Sequence, residues 1–154
     1  MRRLFFALVL LTGFAASGYA ADATRAATIF YSAAPWDGAA YEIDIPLDAT
    51  AEAKHPMIRV NIWGHPQYAK PTTLRFFGRE NAGGGPDRGS GRVSYQPVFD
   101  QSLPQPLAGT LTFDVLQKDK PVSGKYDLVT SDGKQAFKGS FRAKWGNTLP
   151  VPGG

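Results

Sequence analysis

Two histidines are the side chains in this protein that are best suited to metal binding or proton transfer. His55 and His65 are the two imidazoles among 154 residues, and each precedes a proline. They bracket an alternating segment over 57–63, which predicts a strand that holds them about 20 Å apart. One metal ion cannot bridge that distance, so we expect two loop histidines and no metal centre. His55 and His65 would become candidate ligands only if the loops fold back together.

Acidic residues and nucleophiles form no recognisable catalytic arrangement. Asp44, Asp48 and Glu52 lack the alternate-position spacing of a calcium-binding loop. The chain has no cysteine and no Gly-x-Ser-x-Gly elbow around a serine nucleophile. A Ser–His–Asp triad can assemble in space without a sequence motif, which keeps a hydrolase or a metal-dependent enzyme open as the last alternative. We expect no catalytic residues and no cofactor.

A glycine-rich segment over 81–92 contains two arginines, Arg88 and Arg92. Phosphate-binding loops use glycines because bare backbone N–H groups can approach an anion closely. A P-loop also requires Gly-Lys-Ser/Thr followed by a helix, and the sequence predicts neither. The segment therefore predicts a surface loop, in which Arg88 and Arg92 would be the contacts if an anion binds.

Two large aromatic residues fall on the polar side of predicted strands. In the segments over 57–63 and 72–78, every second residue is apolar and is expected to face the core. These residues are Ile58, Val60, Ile62, Leu74 and Phe76. The opposite parity holds Arg59, Trp63, Arg75 and Phe77. If the two strands pair as a hairpin, these four side chains form an exposed patch that is typical of interaction sites or could stack on a sugar ring. The alternative is that a loop or a second sheet covers Trp63 and Phe77, since large aromatics are mostly buried.

Alternation of apolar and polar residues predicts about seven to eight strands and no long helix. Glycine phrases that begin at Gly109, Gly124 and Gly139 are fifteen residues apart and predict a C-terminal three-stranded antiparallel meander. Gly139 falls inside its strand, which indicates a bulge, a bend or a close backbone approach. The fold class is all-β, a single antiparallel β-sandwich, with a closed up-and-down β-barrel as the alternative. Long irregular loops in the middle of the chain favour the sandwich.

The first 20 residues predict a secretory signal peptide. Arg2 and Arg3 precede an apolar run over 4–16, and small residues at Gly18 and Ala20 favour cleavage after Ala20. The run is too short to span a bilayer, which takes about 20 apolar residues. We expect export to the bacterial periplasm or the exterior, without a stable membrane anchor after cleavage. A single all-β domain is expected over 21–146, followed by a flexible Pro/Gly tail over 147–154.

The charge balance argues against a nucleic-acid partner. The formal net charge is +4, and it falls to +2 once Arg2 and Arg3 are removed with the signal. Between 118 and 144 there are seven Lys/Arg and three Asp, a mild excess compared with the basic stripe of a nucleic-acid binder. Lysines on strands also discourage edge-to-edge pairing, and we expect that role here.

The sequence predicts an exported, non-catalytic binding or protein-interaction module with a protein or small ligand of the envelope as its partner. The first alternative is a carrier that holds a small apolar ligand inside a barrel. Such a cavity would be lined by Tyr126, Phe137, Phe141 and Trp145.

Overall fold

The computed structural model describes residues 24–34, 38–48, 55–64, 67–78, 91–98 and 104–146. The predicted signal peptide and C-terminal tail lie outside these described residues. His65 and Arg88 lie outside them as well, so the predictions that concern these two side chains stay predictions.

Eight β-strands make up the regular structure of the described residues. They are β1 (Thr24–Ala34), β2 (Gly38–Pro46), β3 (Met57–Trp63), β4 (Thr72–Phe77), β5 (Gly91–Gln96), β6 (Gln105–Phe113), β7 (Val122–Thr130) and β8 (Ala136–Trp145). Within the described ranges there is no helix, and hence none long and apolar enough to cross a membrane. The all-β prediction is confirmed.

Seven of these strands close into a barrel. They follow the order β6-β5-β3-β2-β1-β8-β7, and pairing between β7 and β6 completes the ring. The pair formed by β1 and β8 is parallel, whereas the other neighbours are antiparallel. Of the two all-β architectures that the sequence leaves open, the structure is the closed barrel rather than the two-sheet sandwich.

The eighth strand, β4, is not one of the seven strands that close the ring. It pairs antiparallel with residues 108–113 of β6. β5 reaches β6 through two described residue pairs, Ser94 with Pro106 and Tyr95 with Gln105. Because β6 also pairs with β7, it contacts three strands and is the junction of the sheet.

The hairpin between β3 and β4, on which the four-residue patch depended, does not form. β3 pairs with β2 and β5, while β4 pairs with β6. After Gly64 the chain instead makes an isolated bridge between Tyr68 and Leu116, with backbone N···O distances of 2.8 and 2.9 Å. This bridge ties the link to the loop between β6 and β7, and so directs β4 toward β6. The condition on which the four-residue patch rested is therefore not met.

One apolar cluster fills the inside of the barrel. Ile58, Val60, Ile62, Leu74 and Phe76 are all buried, which confirms the parity predicted for β3 and β4. Ring contacts continue the cluster across the meander strands, with centroid distances of 4.8 Å from Tyr95 to Phe137 and 6.1 Å from Phe113 to Phe141.

The predicted C-terminal meander forms as β6, β7 and β8, and its glycines admit large aromatic rings. Gly139 lies opposite Tyr126, and Gly124 lies opposite Phe141. A Cβ atom at Gly139 would stand 2.7 Å from the Tyr126 hydroxyl, and one at Gly124 would stand 2.7 Å from the Phe141 ring. Of the three explanations for a glycine inside this strand, the close approach is the one that occurs. The Tyr126 ring of β7 lies against Gly139 of β8.

Candidate functional site

The outer surfaces of β4, β6, β7 and β8 form one continuous face. Residues that pair directly in antiparallel strands point to the same side of the sheet. Arg75 lies opposite Thr110, Thr110 opposite Asp127, and Asp127 opposite Lys138. The next row begins with Phe77 opposite Ala108. We call this surface the basic face; its charged and aromatic members are Arg75, Phe77, Lys125, Asp127, Lys138, Arg142 and Lys144.

Cations dominate the basic face. The ranges of β4, β6, β7 and β8 contain five Lys/Arg residues, all exposed, and one carboxylate, that of Asp127. Lys138 Nζ lies 2.9 Å from Asp127 Oδ2, with both side chains more than half exposed. Pairing with Asp127 offsets one cation, which leaves the other four available to an acidic partner.

A groove of about 290 Å³ crosses the middle of the basic face. Its lining consists of Thr110, Thr112, Lys125, Tyr126, Asp127, Lys138, Gly139 and Ser140. Hydroxyl groups and ammonium groups therefore share one concave surface, which offers both neutral and charged hydrogen-bond donors.

Phe77 stands beside this groove as an exposed aromatic ring. Its side chain is 54% exposed, as its outward parity in β4 predicts. Arg75 is also exposed and lies two residues away on the same side of the strand. The Arg75–Phe77 half of the predicted patch therefore occurs at the surface, next to cations that the sequence did not associate with it.

The other half of the predicted patch lies on a different face. Arg59 donates from Nε and Nη2 to the two carboxylate oxygens of Asp44, at 2.8 and 3.0 Å. Its Nε also lies 3.4 Å from Glu42 Oε1. Arg59 is thus occupied by internal ion pairs, and Trp63, two residues further along β3, is partly buried.

Around Arg59, the outer side of β2, β3 and β5 is polar and buried. Asp44, Asn61, Ser94 and Gln96 are each less than a tenth exposed. Burial raises the pKa of the Glu42 carboxyl, although the neighbouring Arg59 charge acts in the opposite direction. Buried polar residues on the outer side of a barrel form a second cluster, separate from the apolar core.

Of the remaining sequence candidates, His55 and Arg92 lie within the described residues. His55 lies two residues before β3, with Nδ1 3.3 Å from the Gln96 carbonyl oxygen. Arg92 is exposed on β5 and pairs across the sheet with Asn61. Among the residues the structure describes, no group of three or more His, Asp or Glu side chains could hold a metal ion.

The four residues proposed to line a carrier cavity lie in the apolar cluster or pack against it. Tyr126, Phe137 and Phe141 belong to the apolar cluster and are at most 3% exposed. Trp145 packs edge-on against Tyr41 at 5.4 Å and donates from Nε1 to the Lys120 carbonyl oxygen at 2.7 Å. The carrier alternative stays a prediction.

No protein-family model matches this chain. Comparison with characterised proteins and with solved structures likewise gives no match. Function must therefore be argued from the residues themselves.

Sequence reasoning missed the groove although its signal was present. The lysines of β7 and β8 were expected to protect sheet edges. That interpretation is wrong, because β7 pairs with β6 and β8, and β8 pairs with β7 and β1. Neither strand is an edge, so Lys125 and Lys138 have no edge to protect and instead line the groove.

Proposed function

We propose that this protein is an exported, non-catalytic binding module that holds an acidic protein segment on its basic face. The observation that carries the proposal is the exposed Phe77 beside a cation-lined groove. Exposed aromatic and arginine side chains are enriched where proteins bind proteins. Four cations without a carboxylate partner on the face complement an acidic segment in particular.

The binding mode follows from the layout of the face. Carboxylates of the segment pair with Arg75 and Lys125, while an apolar side chain packs against the Phe77 ring. The threonines of the groove donate further hydrogen bonds to the segment's backbone carbonyls. Charge pairing at this exposed surface contributes mainly to the association rate, and burial of Phe77 contributes to the lifetime of the complex.

A peptide-display selection on the chain from residue 21 tests the proposal. We expect the selected peptides to be enriched in Asp and Glu around an apolar residue. Lys125→Glu and Phe77→Ala are each expected to weaken a selected peptide about tenfold, a loss of about 1.4 kcal/mol. Lys134→Glu is the matched control. Lys134 is a highly exposed lysine that lies outside the basic face, and it pairs with Asp132.

Two outcomes of the peptide experiments would overturn the proposal. One is a set of selected peptides without acidic enrichment. The other is a loss of affinity in Lys134→Glu as large as in Lys125→Glu, which would mean that net charge alone governs binding. A heparin fragment or an oligonucleotide that binds the face more tightly than the peptides would also count against an acidic protein segment.

A further inference from the structure

The groove on the basic face runs across the strands rather than along them. Its two banks are rows of residues that lie directly opposite one another in β6, β7 and β8. The near bank is Thr110, Asp127 and Lys138, and the far bank is Thr112, Lys125 and Ser140. The banks are two residues apart along each strand, a separation of about 7 Å. A segment held in the groove therefore crosses these three strands.

A row of apolar side chains runs beside the near bank. It crosses the same strands, begins at the exposed Phe77 of β4, and continues through Ala108, Val129 and Ala136. Ala136 is exposed, and Ala108 and Val129 are partly exposed. An exposed apolar row bordered by charged residues is typical of a surface that binds another protein. We call this set of four residues the apolar row.

Cations lie on the opposite side of the groove from the apolar row. Lys125 is in the far bank, and Arg142 lies one row beyond it, opposite Ser123. In the near bank, Lys138 pairs with Asp127 at 2.9 Å, so β7 and β8 are close to neutral there. An occupant that fits this layout presents apolar side chains to one side and carboxylates to the other.

The strands beneath the groove favour an occupant that satisfies its own backbone. β6 and β7 are each paired on both sides at these positions, so their N–H and C=O groups are used within the sheet. A peptide that binds by adding a strand needs a free sheet edge instead. A helix pairs its N–H and C=O groups internally. The carbonyls that its last turn leaves unpaired are the ones that the groove threonines can reach.

The dimensions of the face suit a helix of about three turns. The apolar row spans β4, β6, β7 and β8, which is about 14 Å at the usual strand spacing. A helix of about 10 residues has this length, and its diameter with side chains is about 10–12 Å. Its width therefore reaches from the apolar row over the near bank to Lys125.

We propose that the acidic segment binds the basic face as an amphipathic helix that lies across the strands. Its apolar stripe packs on the apolar row, and the carboxylates along one flank of the helix contact Lys125 and Arg142. This inference rests on the proposed function, to which it adds the conformation of the partner and the spacing of its contact residues.

Two peptides of identical composition test the conformation. Both have about 14 residues and contain only leucine, glutamate and alanine. In the helical-pattern peptide, leucines recur three and four residues apart and a glutamate follows each leucine, so that a helix places them on adjacent flanks. In the alternating peptide, leucine and glutamate lie on opposite sides of an extended strand.

We expect the helical-pattern peptide to bind the chain from residue 21 about tenfold more tightly than the alternating peptide. Fluorescence anisotropy measures both affinities. A free peptide of this length is only partly helical, so its helical circular dichroism signal should increase on binding.

Val129→Glu tests the position of the helix, because Val129 lies within the apolar row. A carboxylate there should weaken the helical-pattern peptide about tenfold. Val98→Glu is the matched control, since Val98 is exposed and follows β5, outside the basic face. It makes the same change of charge and should leave binding unchanged. The comparison of the two peptides uses the parent chain, so it decides even if Val129→Glu does not fold.

The inference is overturned if the alternating peptide binds as tightly as the helical-pattern peptide, or if binding brings no gain in helical signal. It is also overturned if a folded Val129→Glu binds as the parent does. Any of these results, combined with affinity that Lys125→Glu reduces, leaves the proposed function standing. Binding of both peptides that Lys125→Glu does not change would overturn the proposed function and this inference together.

Discussion

At the scale of single residues, Asp44 and Asp127 make the same contact in different surroundings. Asp44 lies 2.8 Å from Arg59, and Asp127 lies 2.9 Å from Lys138. In the first pair, the side chain of Arg59 is 20% exposed and that of Asp44 is 11% exposed. In the second pair, the side chains of Lys138 and Asp127 are 70% and 62% exposed. Water screens the second pair and hardly reaches the first, so their contributions to stability should differ.

Removing each carboxylate in turn shows how burial changes the contribution of an ion pair to the free energy of unfolding. Asp44→Ala should lower the free energy of unfolding by about 2 kcal/mol, because it leaves Arg59 buried with only the more distant Glu42 as partner. Asp127→Ala should cost less than about 1 kcal/mol. Urea denaturation of both variants measures the difference. Equal losses would contradict the view that the Arg59 network is an internal structural element.

At the scale of elements, β6 depends on a glycine where it meets its neighbours. Gly109 has a φ of +134° and lies opposite both Phe76 and Leu128. A Cβ atom there would stand 2.1 Å from the Asp127 carbonyl oxygen of β7. Close approach of the β7 backbone therefore requires that this position have no side chain.

Two alanine substitutions distinguish crowding from backbone strain. Gly109→Ala should destabilise the protein by about 3 kcal/mol or more, because it adds a clash with β7 to an unfavourable φ. Gly133→Ala is the matched control, since Gly133 has a φ of +71° but open space around it, and it should cost about 1 kcal/mol. Thermal unfolding measures both. A Gly109→Ala variant as stable as Gly133→Ala would refute the close approach.

At the scale of the whole molecule, charge is distributed unevenly around the barrel. Five Lys/Arg residues and one Asp lie within β4, β6, β7 and β8, while the chain carries a formal net charge of +4. The basic face alone accounts for a net charge of that size. Once the predicted cleavage removes Arg2 and Arg3, the net charge is +2, so the residues outside the basic face sum to −2. This asymmetry should steer an acidic partner toward the basic face.

Export is the prediction that concerns the whole chain. Expressed in a bacterium with a general secretory system, the protein should be recovered outside the cytoplasm with Ala21 as its first residue. Intact-mass spectrometry of the recovered protein measures the cleavage position. A substitution of Ala20 by a bulky residue such as Phe should block processing at this position. Recovery of the full-length chain in the cytoplasm would disprove the signal-peptide prediction.

Prediction from sequence succeeded where the information is local. The outward position of Phe77 and the burial of Phe76 were both predicted, because neighbouring residues in a strand point to opposite faces. The partner of β4 was not predicted, since the link at Tyr68 is held by a distant residue, Leu116. A pattern of alternation holds no information about that contact.

The candidate sites show the same division. Arg75 and Phe77 were assigned to a surface, but the sequence joined them to Arg59, which is occupied by Asp44. Among the described residues, the buried Asn61 Nδ2 has no hydrogen-bond partner. This depends on what β2 and β5 place beside it, and it is a property of the sheet as a whole.

The sequence by itself determined that this protein is built of strands, and which side chains of each strand face the core. Alternation is imposed by the pleat of a single strand and so can be read one segment at a time. Only the tertiary structure decided that the sheet closes, that β1 and β8 run parallel, and that Arg75 shares a face with Lys138 rather than with Arg59. Strand pairing depends on the packing of all strands together, so residues that share a face are identified only once every neighbour is known.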